Sequence, residues 1–170
     1  MGDSASDRPL ALAPFFGGDH QELVRHTPHA RTLGIRLVKV APREATLTLP
    51  YRPELVGDPA RGVVFGGVIT TLLDQACGLT VACSVEVPCA IATVDLRIDY
   101  LRAADPGHDL FGRARCTKLT KNVAFIRAAA WEHDPEDPFA SCLATFMLGA
   151  NTTESPYAQL LREHAEAHKT

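Results

Sequence analysis

The stretch VVFGGVITTLLDQACG, residues 63–78, decides the fold. Two glycines stand directly in front of an apolar run in which Val68, Ile69, Leu72, Leu73, Ala76 and, just beyond, Leu79 recur at i, i+3 and i+4 spacing, the signature of a helix. The helix is expected from Gly66 to about Ser84, apolar enough to be buried on most sides. Its remaining stripe is small and polar: Gly67, Thr70, Thr71, Asp74 and Gly78 share one face, so something approaches that face closely. Asp74 is the anomaly. A carboxylate buried without partners is costly enough to shift its pKa, so Asp74 needs either a hydrogen-bonding partner, with Thr70 and Thr71 as local candidates, or a chemical use.

Outward from the helix the pattern changes to strands. On the N-terminal side, Ile35–Val40 and Ala45–Leu49 are short β-branched and aliphatic runs separated by Ala-Pro-Arg-Glu, expected to pair. Residues 52–64, with two prolines, two glycines and an Asp-Pro step, are expected as loop. On the C-terminal side four strands are expected, at about 90–102, 110–119, 123–131 and 139–148, broken by Ala-Asp-Pro-Gly, Thr-Lys-Asn and His-Asp-Pro-Glu-Asp-Pro. In the first of them Val94, Leu96, Ile98 and Tyr100 alternate with Thr93, Asp95, Arg97 and Asp99, as in a half-buried antiparallel strand. Short connections favour a meander. The long helix is the element large enough to cover the sheet's apolar face, which gives an α+β chain with an antiparallel sheet on one central helix. A lead (1–33) with a short helix interrupted or ended near Pro28 precedes this domain (34–150), and a polar, loosely packed helix (151–170) follows it.

The whole chain narrows the function. At 170 residues it fits one domain that buries about 70% of its unfolded surface. Net charge is −3 and the lysines and arginines are scattered, which argues against a nucleic-acid partner. No apolar run has the length of a signal peptide or membrane span, so no membrane is expected and a cytoplasmic protein is the default. Met1-Gly2 with Ser6 is a weak match to an acylation start. The five cysteines lack C-x-x-C spacing and are expected as reduced core thiols. The seven histidines fall in the flanks or loops, which argues against a histidine-centred site; His164 and His168 are one turn apart but sit among glutamates on a polar helix face. Neither a metal nor another cofactor is called for.

VFGGVITTLLDQACG, with ATVDLRIDYLRAADPG at 92–107, resembles the hot-dog-fold acyl-CoA thioesterases of the phenylacetate-pathway (PaaI-like) type. Their signature is His-Gly-Gly, six residues, Asp, then a Thr/Ser-Val-Asp-Leu strand. The resemblance covers about 34–149 in element order and is concentrated in 57–107. It implies an acyl-CoA substrate, with Asp74 as nucleophile or general base, the Gly66 N–H aimed at the thioester oxygen, and Thr93 helping to hold the attacking water. It also implies a homodimer or homotetramer whose subunits pair edge to edge, Asp74 of one facing Gly66 of the other. Phe65 stands where most members have His, and Asp58 stands near a common Asn. Phe65 and Gly67 at the helix start, Asp58, and the cations Arg102, Lys118 and Lys121 are the candidate substrate contacts, the last three toward the coenzyme A phosphates. A hydratase on the same fold would need a His beside the Asp. The alternative outside enzymology is a non-catalytic acyl-CoA-binding or structural subunit.

Overall fold

The computed structural model describes residues 9–151 and 155–167; the acylation-like start and His168 lie outside them. Two short helices lead, α1 (Glu22–Arg25) and α2 (Pro28–Leu33), followed by the hairpin β1 (Arg36–Ala41) and β2 (Glu44–Leu49). A small hairpin, β3 (Val56–Asp58) and β4 (Val63–Val64), comes next, then the long helix α3 (Gly66–Ala82). Four long strands complete the sheet: β5 (Cys89–Tyr100), β6 (Leu110–Leu119), β7 (Val123–Trp131) and β8 (Ala140–Asn151). The chain then enters α4 (Pro156–Ala167).

The six long strands form one antiparallel sheet in the order β1-β2-β6-β7-β8-β5, and α3 lies across one face. Leu72, Leu73, Ala76, Cys77 and Leu79 have no exposed surface and meet Leu47, Leu110, Ala114 and Ile126 from the sheet in one core. Helix and sheet approach closely at Gly112, where a Cβ would lie 3.1 Å from Leu72 Cγ and a larger side chain would press on α3. Thr80, fully buried in α3, satisfies its hydroxyl by donating to the Ala114 carbonyl at 3.1 Å.

Several expectations need correction. The strands are not a full meander: β5 skips β6 and pairs with β8, because residues 101–109 cross the end of the sheet instead of turning tightly. Arg102 holds that crossing, donating to Glu132 at 2.5 and 3.0 Å, while the Asp105 N–H donates to the same carboxylate at 2.8 Å. β5 is therefore an edge strand and mostly exposed, with a bulge at Val94 that breaks the half-buried alternation; Val94 and Tyr100 are 59% and 50% exposed. The segment 52–64 is not all loop, since Val56 and Asp58 pair with Val64 and Val63. The lead helix is interrupted near Pro28 as expected: α1 ends at Arg25, and Pro28 opens α2 at its first position, where a missing N–H costs nothing. Finally, α4 is anchored: Tyr157 and Ala158 are buried, and His164 packs against Phe15 at 4.7 Å between ring centres. Among the described residues no helix is long and apolar enough to cross a membrane.

Candidate active site

The small face of α3 is the face the sheet does not cover. Gly67 is exposed, and Thr70, Thr71, Asp74, Gln75 and Gly78 are half-exposed, so in a single chain Asp74 is not the buried carboxylate its apolar neighbours suggest. Neither local threonine serves it. Thr70 and Thr71 donate back to the Gly66 and Gly67 carbonyls one turn earlier, at 3.1 and 3.0 Å. The partner of Asp74 comes from the edge strand: Thr93 Oγ1 donates to Asp74 Oδ1 at 2.9 Å. Asp74 keeps its second oxygen for another partner.

Asp74 and Thr93 open onto a cleft of about 550 Å³, within the range of small-molecule sites. Gly78 of α3, Ile91 of β5 and Phe146 of β8 give it a contiguous apolar surface, and Thr27, Gln75 and Ser155 add polar groups to its lining. The flanks also line it, through His26 after α1 and Tyr157 in the first turn of α4, whose rings meet edge to face at 4.9 Å. Burial holds the His26 imidazole below its usual pKa, with backbone carbonyls of Glu22 and Leu23 offsetting only part of that effect.

At the other end of the stripe, Phe65 caps α3 in an extended conformation and is 61% exposed, so it does not plug the core. The Val68 N–H turns back to the Phe65 carbonyl, and the Gly66 and Gly67 N–H groups belong to the first turn, whose donors the helix itself does not use. Tyr100 of β5 donates to the Gly66 carbonyl at 3.0 Å and fixes the helix start on the edge strand. A Cβ on Gly67 would fall 2.5 Å from the Phe65 ring. Gly66 and Asp74 are eight residues apart on one rigid helix, about 12 Å along its axis. One carbonyl cannot meet both within a single chain.

The remaining candidates scatter. Asp58 is occupied in its own hairpin, accepting from Arg61 at 2.6 Å and from the Ala60 N–H at 3.1 Å; the Arg61 hydrogen bond holds its carboxyl below the usual range. Arg102 is committed to Glu132, whose side chain has no exposed surface. Lys118 and Lys121 stand at the far end of β6 and in the turn after it, with exposed side chains. Sequence reasoning missed His26, Gln75, Tyr100 and Tyr157. Gln75 follows Asp74 directly and was legible as its neighbour; His26 and Tyr157 reach the cleft through packing that no local pattern announces.

Comparisons with known proteins identify the family and the fold. Residues 61–138 match the thioesterase superfamily. A medium/long-chain acyl-CoA thioesterase of Escherichia coli strain K12, YigI, is 31% identical over 140 residues, covering 74% of this chain and 88% of that protein. A Pseudomonas aeruginosa protein of known crystal structure superimposes with a TM-score of 0.68 at 38% identity, over 75% of this chain and 94% of its own. A phenylacetic acid degradation-related protein of Ralstonia eutropha JMP134 does so with a TM-score of 0.62 at 25% identity, over 71% and 89%. With its antiparallel sheet wrapped on one long helix, the chain belongs to the thioesterase superfamily and has the hot-dog fold.

Proposed function

We propose that this thioester hydrolase acts on acyl-CoA, releasing a free acid and coenzyme A, with Asp74 as the reactive carboxylate. The observation that carries the reading is the half-exposed Asp74, oriented by Thr93 at 2.9 Å at the head of an apolar cleft. Asp74 either takes a proton from water as it attacks the thioester carbon or attacks directly, forming an anhydride that water then cleaves; in both cases the thiolate of coenzyme A leaves. The carbonyl oxygen gains negative charge and needs N–H donors, which the exposed start of α3 offers.

Because one helix cannot present both groups to one carbonyl, the oxyanion donor belongs to a second subunit. The edge strand supports this. Asp74 hangs on Thr93 and Gly66 hangs on Tyr100, toward opposite ends of β5. Antiparallel pairing of two β5 edges about a twofold near Leu96–Arg97 sets Thr93 of one copy opposite Tyr100 of the other, and with them Asp74 opposite Gly66. Phe65 and Gly67 then flank the thioester, and Lys118 and Lys121 remain the candidate phosphate contacts. Cytoplasmic acyl-CoA fits the absence of a membrane-crossing helix among the described residues.

The test is thiol release from a panel of acyl-CoAs, with wild type beside Asp74→Asn. Turnover by wild type and a loss of about 10³-fold or more in a folded Asn variant is the expected result. An Asn variant that retains turnover overturns the assignment. Tight acyl-CoA binding with no turnover by wild type favours the binding-subunit alternative, for which Phe65 in place of the family His is the supporting residue.

A further inference from the structure

The cleft reaches beyond the residues the family match covers. Its catalytic head, Asp74 and Thr93, and the apolar residues Gly78 and Ile91 fall inside 61–138, but His26 and Tyr157 come from segments on either side of that range. Ser155 caps α4, its Oγ accepting the Ala158 N–H at 3.1 Å, and Pro156 occupies the first helical position, so the capped turn fixes Tyr157. Tyr157 is 9% exposed, and its ring meets that of His26 edge to face at 4.9 Å. Burial shifts the His26 pKa downward, which favours the neutral imidazole in this part of the lining.

We propose that the His26–Tyr157 pair is the end stop of the acyl pocket: the substrate's acyl chain runs from the Asp74–Thr93 head over Gly78, Ile91 and Phe146, and the two flanking rings set the longest uncharged chain that fits. This rests on the thioesterase reading of the same site. The acyl chain is the occupant because Gly78, Ile91 and Phe146 form a contiguous apolar surface in the same cleft that holds the candidate reacting carboxylate. Gly78 contributes by absence. A Cβ at Gly78 would make ordinary contacts with Ile91 Cδ1 at 3.8 Å and Phe146 Cε1 at 3.9 Å, so a larger side chain is tolerated at its root and extends into the cleft.

The experiment measures kcat/KM for straight-chain acyl-CoAs of graded length and, in parallel, the binding of S-alkyl-CoA thioethers of the same lengths, which cannot be hydrolysed. His26→Ala and Tyr157→Ala are expected to move both optima to longer chains. Each further methylene that finds apolar cover is worth about fourfold, so room for two more shifts the long-to-short ratio about fifteenfold. Gly78→Leu, whose fold does not depend on the flanks, is expected to move both optima the other way. Unmoved length profiles in all folded variants, with turnover intact, overturn the end stop and leave the thioesterase reading standing. Thioether preferences that move as described, without wild-type turnover of any acyl-CoA, uphold the end stop and overturn the catalytic reading. Equal binding of every thioether and of coenzyme A alone overturns the acyl occupant.

Discussion

Replacing Thr93 by Val keeps the shape of the side chain and removes one hydrogen bond, the 2.9 Å donation to Asp74 Oδ1. A hydrogen bond to a charged group contributes about 1.5–3 kcal/mol, or about 10- to 160-fold if the whole of it acts on the barrier. Thr93 is exposed in the single chain, so water can take its place at the carboxylate, and the expected loss in kcat is at the low end, about 10- to 30-fold. Thr93→Ser restores the donor and is expected within about threefold of wild type, which a purely structural role for the threonine methyl would not give. Because Thr93 is argued to act through Asp74, the Thr93→Val, Asp74→Asn double variant should be no slower than Asp74→Asn alone. The assay is continuous thiol release at saturating acyl-CoA, with circular dichroism to confirm folding. A Thr93→Val enzyme at wild-type rate, or losses that multiply in the double variant, would refute the positioning role.

Three further expectations follow from other parts of the molecule. If each site draws Asp74 and Gly66 from different subunits, mixing Asp74→Asn with a crowded Gly66→Val variant should restore about a quarter of wild-type turnover, since half the dimers are hybrids with one intact site; a mixture as inactive as its parents would place both groups in one chain. Arg102→Met leaves the fully covered Glu132 carboxylate with the Asp105 N–H as its remaining partner, an expected cost of about 3 kcal/mol and about 6–12 °C in Tm at pH 7. Burial alone would raise the Glu132 pKa, but the Arg102 and Asp105 hydrogen bonds hold it low, so the pair's contribution is present above the unfolded value of about 4.3 and is lost as pH falls through the folded one. The Tm gap between wild type and Arg102→Met should therefore close on acidification; a gap independent of pH would show that the ion pair is not its source. His26 has the same sign by a different route: burial lowers its pKa below the unfolded value of about 6.5, so the unfolded chain binds more protons below that pH and stability falls there. Thermal melts of wild type and His26→Gln between pH 7 and 5 should show the shallower slope in the variant.

How much of this was legible in the sequence depends on where the information lies. The helix was plain because α3 packs by its own periodicity, and β6 and β7 begin and end at their turn residues as expected. Asp74, Gly66 and Thr93 were found together through spacing within one family signature, and the contact between Asp74 and Thr93 agrees with that grouping. Strand order was not legible, because nothing local distinguishes a crossing loop from a turn; the decision lies with Arg102 and Glu132, thirty residues apart. The same partnership explains why Arg102 looked like a phosphate ligand, since a cation's partner is invisible until the fold supplies it. The half-exposed state of Asp74 escaped for a related reason: helix hydrophobicity reports burial on average, while β5 is an edge that leaves one side of the small stripe open. His26 and Tyr157 are more than 120 residues apart and meet only across the packed flanks.

The open edge of β5 also governs how this protein is lost. The outer edge of the twelve-residue β5, which pairs with β8 on its other side, has Val94 59% exposed, Tyr100 50% and the adjoining Leu101 61%, and is a template for any other strand that reaches it. Charged Asp95, Arg97 and Asp99 on the same strand discourage random pairing, but Arg97 and Asp99 neutralise each other at 3.0 Å. With the proposed second subunit paired on this edge, heating or dilution that separates the two before the core melts feeds precipitation, and recovery of folded protein on cooling should fall as concentration rises.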